Sequence, residues 1–221
     1  MKIKLLKYLF IASCILLFVN QSNGQQLDLN FLNISSKDGL SSNLVNAIHK
    51  DKYGFMWFGT DDGLNKFDGE RFTVYRHKAE DAESISSNEI LYLFEDGRDN
   101  LWICTGSGLV MYDRDTDAFK NIASTKDFTT TSVCVFNNKV WLAHYSGLVI
   151  LDQESGEISE VPLKSKEDKS VLARGVLHLF KDSKNRLWIG TNAGLYIYNV
   201  KQQALEKFLH NSSDSQSIAS N

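Results

Sequence analysis

The sequence predicts an all-β protein, a β-propeller of four-stranded blades in which four blades are present and the ring is incomplete. Four tryptophans, Trp57, Trp102, Trp141 and Trp188, recur every 39 to 47 residues, which is the period of a propeller blade. Gly-Leu follows each tryptophan at the same distance, and an apolar run precedes each one. A β-sandwich is the main alternative, but its strands are not equivalent and give no reason for one tryptophan per unit.

Each repeat contains the same succession of four strands. In the first repeat, the apolar strand Val45–Lys50 precedes the tryptophan strand, a third strand follows Gly63-Leu64, and the weaker strand Phe72–Tyr75 closes the unit. The first strands are nearly continuous apolar runs, so we expect them to be buried on both faces. The turns after them end in residue types that tolerate positive φ, namely Gly54, Asp99 and Asn185.

The repeats define the predicted organisation of the chain. We expect a signal peptide at 1–24 and a partial propeller at 25–221, with blade repeats near 44–75, 89–122, 132–161 and 175–209. Residues 210–221 resemble the start of a fifth repeat, and Phe31–Ile34 resembles a fourth strand without the three strands that should precede it. Such a strand closes a propeller by pairing with the last blade. We therefore expect more than four blades, and a fragment of a longer sensor rather than a short free-standing propeller.

The first residues predict export. Lys2, Lys4 and Lys7 precede an apolar run from Tyr8 to Val19, and the small residues Ser22 and Gly24 follow. The run is shorter than the roughly 20 residues that a membrane-spanning helix needs. We therefore predict a mature start at Gln25 and a periplasmic location. A lipoprotein anchored at Cys14 is the alternative, but the apolar run continues past this cysteine.

Composition argues against several classes of function. The net charge is −3 and the basic residues are scattered, so we expect no nucleic acid partner. The five histidines lack the short spacing of a metal site, and we predict no metal and no cofactor. No nucleophile elbow, paired-carboxylate motif or phosphate loop is present. We therefore predict no catalytic residues, while a lyase or hydrolase on a propeller scaffold remains the alternative.

Three segments carry a specific resemblance. Residues 39–43 read Gly-Leu-Ser-Ser-Asn, residues 51–60 read Asp-Lys-Tyr-Gly-Phe-Met-Trp-Phe-Gly-Thr, and residues 62–68 read Asp-Gly-Leu-Asn-Lys-Phe-Asp. This repeat resembles the two-component regulator propeller repeat, from about Phe31 to Asn221. The third copy departs, with Asn137-Asn138 in the first turn and His144 in place of threonine.

The resemblance implies a function that the residues alone do not. In that family such blades form the periplasmic sensor of hybrid two-component proteins, common in Bacteroidetes, which sense products of polysaccharide breakdown. It implies a non-catalytic sensor segment for an oligosaccharide, within a sensor histidine kinase anchored in the inner membrane. The remaining blades and a second copy of the parent chain are the other implied partners. A protein-interaction scaffold is a further alternative.

The turns between the second and third strands are the candidate binding site. Their flanking residues are constant while the turn residues vary, so one scaffold presents different side chains on one face. Tyr145 offers a stacking face and the others offer hydrogen bonds to hydroxyl groups. The candidates are Asp61, Asp62, Ser107, Tyr145 and Asn192. The connections His77–Ser87 and Ser165–Arg174 should emerge on the same face. Each candidate is also explained as an ordinary polar turn residue.

The tryptophans allow two interpretations. Aromatic faces stack on sugars, but a ligand contact should differ between copies, whereas these residues keep a fixed register. We therefore predict that they fill the core. Cys104 occupies the position of Gly59, Ala143 and Gly190, which indicates a small buried site.

Overall fold

Four antiparallel sheets make up the structure, a computed structural model that describes residue 31, residues 33–173 and residues 175–220. All four lie in the compact unit Ile34–Asn221, and each has four strands hydrogen-bonded in chain order. The predicted fold class is confirmed: the protein is an all-β propeller of four blades in an open arrangement. The predicted signal peptide, residues 1–24, lies outside the described residues.

The strands follow the predicted repeats to within two residues at each end. Blade 1 contains β1 Val45–Lys50, β2 Met56–Thr60, β3 Gly63–Phe67 and β4 Phe72–Tyr75. Blade 2 contains β5 Ile90–Glu95, β6 Leu101–Thr105, β7 Gly108–Asp113 and β8 Ala118–Asn121. Blade 3 contains β9 Thr130–Phe136, β10 Lys139–His144, β11 Gly147–Leu151 and β12 Ile158–Glu160. Blade 4 contains β13 Val176–Lys181, β14 Leu187–Thr191, β15 Gly194–Asn199 and β16 Ala204–Phe208.

The core lies between successive blades. The inner strands β1, β5, β9 and β13 pack side by side, and Trp57, Trp102 and Trp141 each face the blade that follows their own. Trp57, Trp102 and Trp141 are 0%, 2% and 3% exposed. The core interpretation is confirmed for these three. Trp188 is only partly buried, because no described blade follows blade 4.

The prediction that every inner strand is buried on both faces is wrong for β1 and β13. Ile48 in β1 and Phe180 in β13 are 61% and 58% exposed. A blade face is buried only by a neighbouring blade, and the outer faces of blades 1 and 4 have none in the described unit. The sequence pattern of β1 and β13 matches that of β5 and β9, which are flanked on both sides.

An aspartate holds the first turn of three blades together. In blade 1, Asp51 accepts hydrogen bonds from the backbone N–H groups of Tyr53 and Phe55, at 3.0 and 2.9 Å, and from Trp57 Nε1 at 2.9 Å. The same turns carry the predicted positive φ, 96° at Gly54, 68° at Asp99 and 56° at Asn185. Each turn is therefore tied to the buried tryptophan of its own blade.

The third blade makes this turn differently. Asn137 and Asn138 form a shorter turn with φ of 50° and 59°. Trp141 Nε1 then donates to the Phe136 carbonyl oxygen at 3.2 Å, in place of a carboxylate. The departure predicted for the third copy is thus a local change that leaves its tryptophan hydrogen-bonded.

Cys104 occupies a fully buried position, as predicted from its small counterparts. At the equivalent Gly59, an added Cβ would lie 2.5 Å from Ile90 Cγ2 of the next blade. The blades therefore approach closely along this line. Burial raises the pKa of the Cys104 thiol to about 12, so the thiol stays protonated and inert.

The segment after blade 4 repeats the segment after blade 1. His210 Nδ1 lies 2.8 Å from the Ile218 carbonyl oxygen, as His77 Nδ1 does from that of Ile85. Of the predicted N-terminal strand Phe31–Ile34, the described residues 31, 33 and 34 are not in a strand, and residue 32 lies outside the description.

Candidate functional site

A threonine fixes the backbone of the turn between the second and third strands. In blade 1, Thr60 Oγ1 donates to the Gly63 carbonyl oxygen at 2.9 Å and accepts from the Asp62 N–H at 3.1 Å. Thr105 and Thr191 make the same two bonds in blades 2 and 4. These bonds use the flanking threonine and the backbone only. The side chains at the two turn positions are therefore left to vary.

The segments that enter the next blade lie against these turns. The backbone N–H of Gly63 donates to the Asn88 carbonyl oxygen at 2.8 Å, and that of Gly106 to Glu89 at 3.0 Å. The Tyr145 N–H donates to the Thr129 carbonyl oxygen at 3.3 Å. The segment that enters each of these blades therefore hydrogen-bonds to the turns of two neighbouring blades. The turns and the long connections share one edge of the blade array, which we call the turn face.

The five predicted residues all lie on the turn face. Asp61, Ser107, Tyr145 and Asn192 are exposed and Asp62 is half-buried. The structure brings Tyr145 and Asn192 together at Gly175: an added Cβ there would lie 3.0 Å from both the Tyr145 carbonyl oxygen and Asn192 Nδ2. Asp61 and Ser107 lie on the two separate turns of blades 1 and 2. The candidates form an arc rather than one pocket.

The charge of Asp62 is balanced by a neighbour. Arg76 Nη2 lies 2.9 Å from Asp62 Oδ2, and Nε lies 3.3 Å from Oδ1. The hydrogen bond from Arg76 lowers the pKa of Asp62 below its usual range, so the carboxylate is charged. Both side chains are nearly half exposed, so the pair adds little to stability. The pair holds a guanidinium donor and a carboxylate acceptor side by side at the surface.

Three residues of the turn face were missed from the sequence. Arg76 follows β4, which pairs with β3 as far as Leu64, so hairpin register brings it to the first turn. Glu89 precedes β5, and its carboxylate packs on Gly106. Thr129 precedes β9 and donates to the Gly106 carbonyl oxygen at 3.3 Å. Their position in the sequence could have identified them, because each stands immediately before or after a strand whose end meets a turn.

The connection after blade 3 contains a helix that was not predicted. Helix α1, Lys166–Leu172, begins after Ser165, whose hydroxyl accepts from the N–H groups of Glu167 and Asp168 at 3.1 and 3.3 Å. Asp168 is buried and accepts from the Leu205 N–H at 3.0 Å, which ties the helix to β16. A serine followed by Glu167 and Asp168 is the N-terminal signal that sequence analysis could have used.

Residues with metal-ligating side chains do not cluster in the described part of the chain. No group of three or more histidine, cysteine, aspartate or glutamate side chains there is placed to hold a metal ion. The expectation of no metal and no cofactor stays a prediction.

Sequence comparison confirms the predicted resemblance. Residues 39–62, 84–107 and 170–193 match the sequence model of the two component regulator propeller family. The chain therefore carries the repeats of that family in its first, second and fourth copies. The third copy, with its altered turn and His144, is not among the matched segments.

The relatives include a histidine kinase and the extracellular domain of a two-component system protein. A 56-residue stretch is 52% identical to histidine kinase P4 of Formosa agariphila, and covers 25% of this chain and 4% of that protein. Among solved structures, the extracellular domain of BT3049, described as a hybrid two component system of B. thetaiotaomicron, is 28% identical with a TM-score of 0.68. The match covers 81% of this chain and 26% of that one. The chain thus spans only a small part of these relatives.

Other structures share the fold alone. Virginiamycin B lyase from Staphylococcus aureus is 14% identical with a TM-score of 0.58, over 82% of this chain and 59% of the lyase. At that identity the similarity shows only a shared blade architecture. Three segments of the chain thus match the two component regulator propeller family, and its blades resemble the extracellular domains of hybrid two-component systems.

Proposed function

We propose that this segment is a non-catalytic, periplasmic sensing module that recognises an oligosaccharide with its turn face. The observation that carries the proposal is the contrast between fixed and variable positions. Thr60, Thr105 and Thr191 hold three turns in one geometry, while the exposed turn residues differ in charge, size and hydrogen-bonding capacity. A rigid frame that presents varied polar groups and an aromatic ring suits a ligand rich in hydroxyl groups.

Two features of the turn face support a sugar ligand. Tyr145 is 56% exposed and offers a ring face on which a pyranose can pack. Asp62 and Arg76 form a pre-organised pair that can accept from and donate to adjacent hydroxyl groups. Asn192 lies beside Tyr145 and adds an amide. Because these groups are spread along an arc, they fit a chain of several sugar units better than one monosaccharide.

The proposed periplasmic location rests on the predicted signal peptide at 1–24 and on the extracellular relatives. No helix in the described part of the chain has the length and apolar character needed to span a membrane. Mass measurement of protein recovered from the periplasm should give an N-terminus at Gln25. Protein that keeps Met1, or that carries lipid on Cys14, would contradict the export proposal.

The rest of the signalling machinery is proposed from the same resemblance. A sensor histidine kinase would place further blades beside the exposed faces of blades 1 and 4. It would also supply the second copy for a homodimer. In this arrangement ligand binding on the turn face is relayed by other parts of the parent protein, and the segment itself carries no catalytic residue and needs no nucleic acid.

Calorimetry with an oligosaccharide panel tests the proposal, with a matched pair of tyrosines. Tyr145 lies on the turn face, whereas Tyr53, 58% exposed, lies in a first turn at the opposite edge. We expect Tyr145→Ala to weaken binding by about fivefold or more, because burying the ring against a ligand is worth about 1 to 3 kcal/mol. Tyr53→Ala should leave binding unchanged. Equal effects of the two substitutions, or none, would remove the turn face from the proposal.

The same panel separates the alternatives. An enzyme would convert the glycan, so products would appear by chromatography, and an acidic substitution such as Asp62→Ala would abolish turnover. A protein-interaction scaffold would bind a macromolecular partner and none of the sugars. Binding without turnover is the result that the sensing proposal requires.

A further inference from the structure

On the turn face, blade 3 has a cleft whose described walls include none of the five predicted site residues. It has a volume of about 290 Å³ and lies between the start of β11, the end of β12 and helix α1. Its walls are mostly apolar, and those used in the argument are Phe128, His144, Leu148, Val161, Leu163 and Leu172. A cavity of roughly 150 Å³ is enough to bind benzene. The cleft therefore has room for a substituted aromatic ring.

His144 stands where the other blades have a threonine. Thr60, Thr105 and Thr191 use their hydroxyl groups twice, as donor to a glycine carbonyl and as acceptor from the turn. His144 keeps only the second bond, because its Nδ1 accepts from the Ser146 N–H at 3.3 Å. A ring that accepts at Nδ1 carries its proton on Nε2. The substitution thus adds a donor that the turn itself does not require.

The ring is held rigidly at the edge of the cleft. It stacks on Phe128 with centroids 4.1 Å apart and planes 2° from parallel. Its Cε1–Nε2 edge lies beside Gly147, another residue of the cleft wall. Among the described residues, none accepts a hydrogen bond from Nε2. Burial lowers the pKa of His144, which keeps the ring neutral and Nε2 a donor.

The charges at the cleft mouth cancel. Lys169 Nζ lies 3.5 Å from Glu160 Oε2, and both side chains are more than half exposed. The walls add no other charged group among the described residues. The described wall residues therefore offer an ionic ligand no net charge to compensate for its lost hydration. An uncharged ligand loses little hydration energy and gains contact with the apolar walls.

We propose that the blade 3 cleft binds a small, uncharged aromatic molecule whose hydrogen-bond acceptor, such as a carbonyl oxygen, pairs with His144 Nε2. The ring of the ligand packs against the aliphatic wall formed by Leu148, Val161 and Leu172. This site differs in chemistry from the five predicted site residues on the same face, and it does not rest on the proposed oligosaccharide function. It makes blade 3 the specialised blade of the four.

Two matched probes test the donor directly. 4′-Fluoroacetophenone carries a carbonyl acceptor, and 1-ethyl-4-fluorobenzene has nearly the same shape without one. Fluorine NMR titration of the full chain should show the ketone binding about tenfold more tightly, or about 1.4 kcal/mol, because only the ketone can replace water as the acceptor for His144 Nε2. Equal affinities for the two probes, or no binding of the ketone up to its solubility limit, would overturn the proposal.

Variants locate the site. His144→Phe keeps the stack on Phe128 and removes the donor, so the preference for the ketone should vanish. His144→Thr restores the residue of the other blades and should act in the same way. Ala173→Phe, at the exposed end of α1, should block both probes without altering the core. Tyr145→Ala should leave both affinities unchanged, which separates this cleft from the proposed sugar site. A preference for the ketone that survives both His144 variants would refute the assignment.

Discussion

Replacing Asp96 with alanine tests how the first turn is coupled to the core. Asp96 Oδ1 accepts from the N–H groups of Arg98 and Asn100 at 2.8 and 3.0 Å. Its Oδ2 accepts from Asn100 Nδ2 and from Trp102 Nε1, both at 2.9 Å. Burial alone would raise the pKa of Asp96, but the hydrogen bonds from Asn100 and Trp102 outweigh it and lower the pKa. The residue is therefore a charged acceptor of four hydrogen bonds.

The loss of stability caused by Asp96→Ala can be estimated by asking which of the four hydrogen-bond donors water can reach. Trp102 is 2% exposed, so its Nε1–H would be left buried and unpaired, which costs about 1 to 3 kcal/mol. The turn N–H groups are only partly buried, and water would replace about half of their bond energy. Together we expect Asp96→Ala to lower the free energy of unfolding by about 3 to 4 kcal/mol.

Blade 4 supplies the matched control. Asp182 accepts from the N–H groups of Lys184 and Arg186 and from Trp188 Nε1 at 3.0 Å, as Asp96 does from its own turn and tryptophan. Its fourth donor is Arg186 Nε at 2.6 Å, where Asp96 has the amide of Asn100. Trp188 is partly exposed, so water can satisfy its Nε1–H after Asp182→Ala. The Arg186 side chain is 44% exposed, so its ion pair with Asp182 adds little. We therefore expect a clearly smaller loss of stability at this site.

Urea denaturation of two double-mutant cycles measures the difference. Trp102→Phe and Trp188→Phe each remove the Nε1–H donor and keep an aromatic ring. The coupling between Asp96→Ala and Trp102→Phe should be about 1.5 to 3 kcal/mol, as expected for a buried bond to a charged group. The coupling between Asp182→Ala and Trp188→Phe should be near zero. Equal couplings in the two blades would refute the argument that burial of the tryptophan sets the value of the bond.

Three further predictions rest on burial. Trp102→Ala should lower the free energy of unfolding in urea by about 3 to 5 kcal/mol, and Trp188→Ala should lower it clearly less. Neither substitution should change the affinity for an oligosaccharide. Lost affinity at normal stability would place the tryptophan in a binding site. Because burial raises the pKa of Cys104 to about 12 and that of Cys134 to about 11, neither thiol should react with Ellman's reagent at pH 8 until urea is added. The exposed apolar faces around Ile48 and Phe180 should make the mature chain self-associate in sedimentation velocity; a single monomeric species at all concentrations would contradict this.

The blade architecture could be predicted because each repeat carries its own local signals. The turns need residues that accept positive φ, such as Gly54 and Asn185, and these types are visible in the sequence. The tryptophan position and the Gly-Leu that follows it mark the second and third strands of each blade. Hairpin pairing is local, so these signals suffice to place strand ends within two residues.

Burial of the outer blade faces could not be predicted from the same signals. Phe180 in β13 and Phe94 in β5 occupy equivalent positions, and their sequence contexts are alike. Phe94 packs in the core between blades 2 and 3, whereas Phe180 is 58% exposed. The difference arises from the neighbouring blade and not from the strand itself. Arg76 and Glu89 carry a local signal, because each stands beside a strand end that meets a turn, and the prediction missed them by including the turn positions alone.

The third copy shows which departures from the repeat the fold explains and which it does not. Loss of the turn aspartate is compensated, because the shorter turn brings the Phe136 carbonyl oxygen to Trp141 Nε1. Loss of the threonine is compensated only in part, because His144 replaces one of its two bonds. A serine would restore both bonds with a smaller side chain, yet the chain has a histidine stacked on Phe128. The turn does not require that ring or its second nitrogen, so the physical reason for His144 must be sought in the cleft that the ring faces.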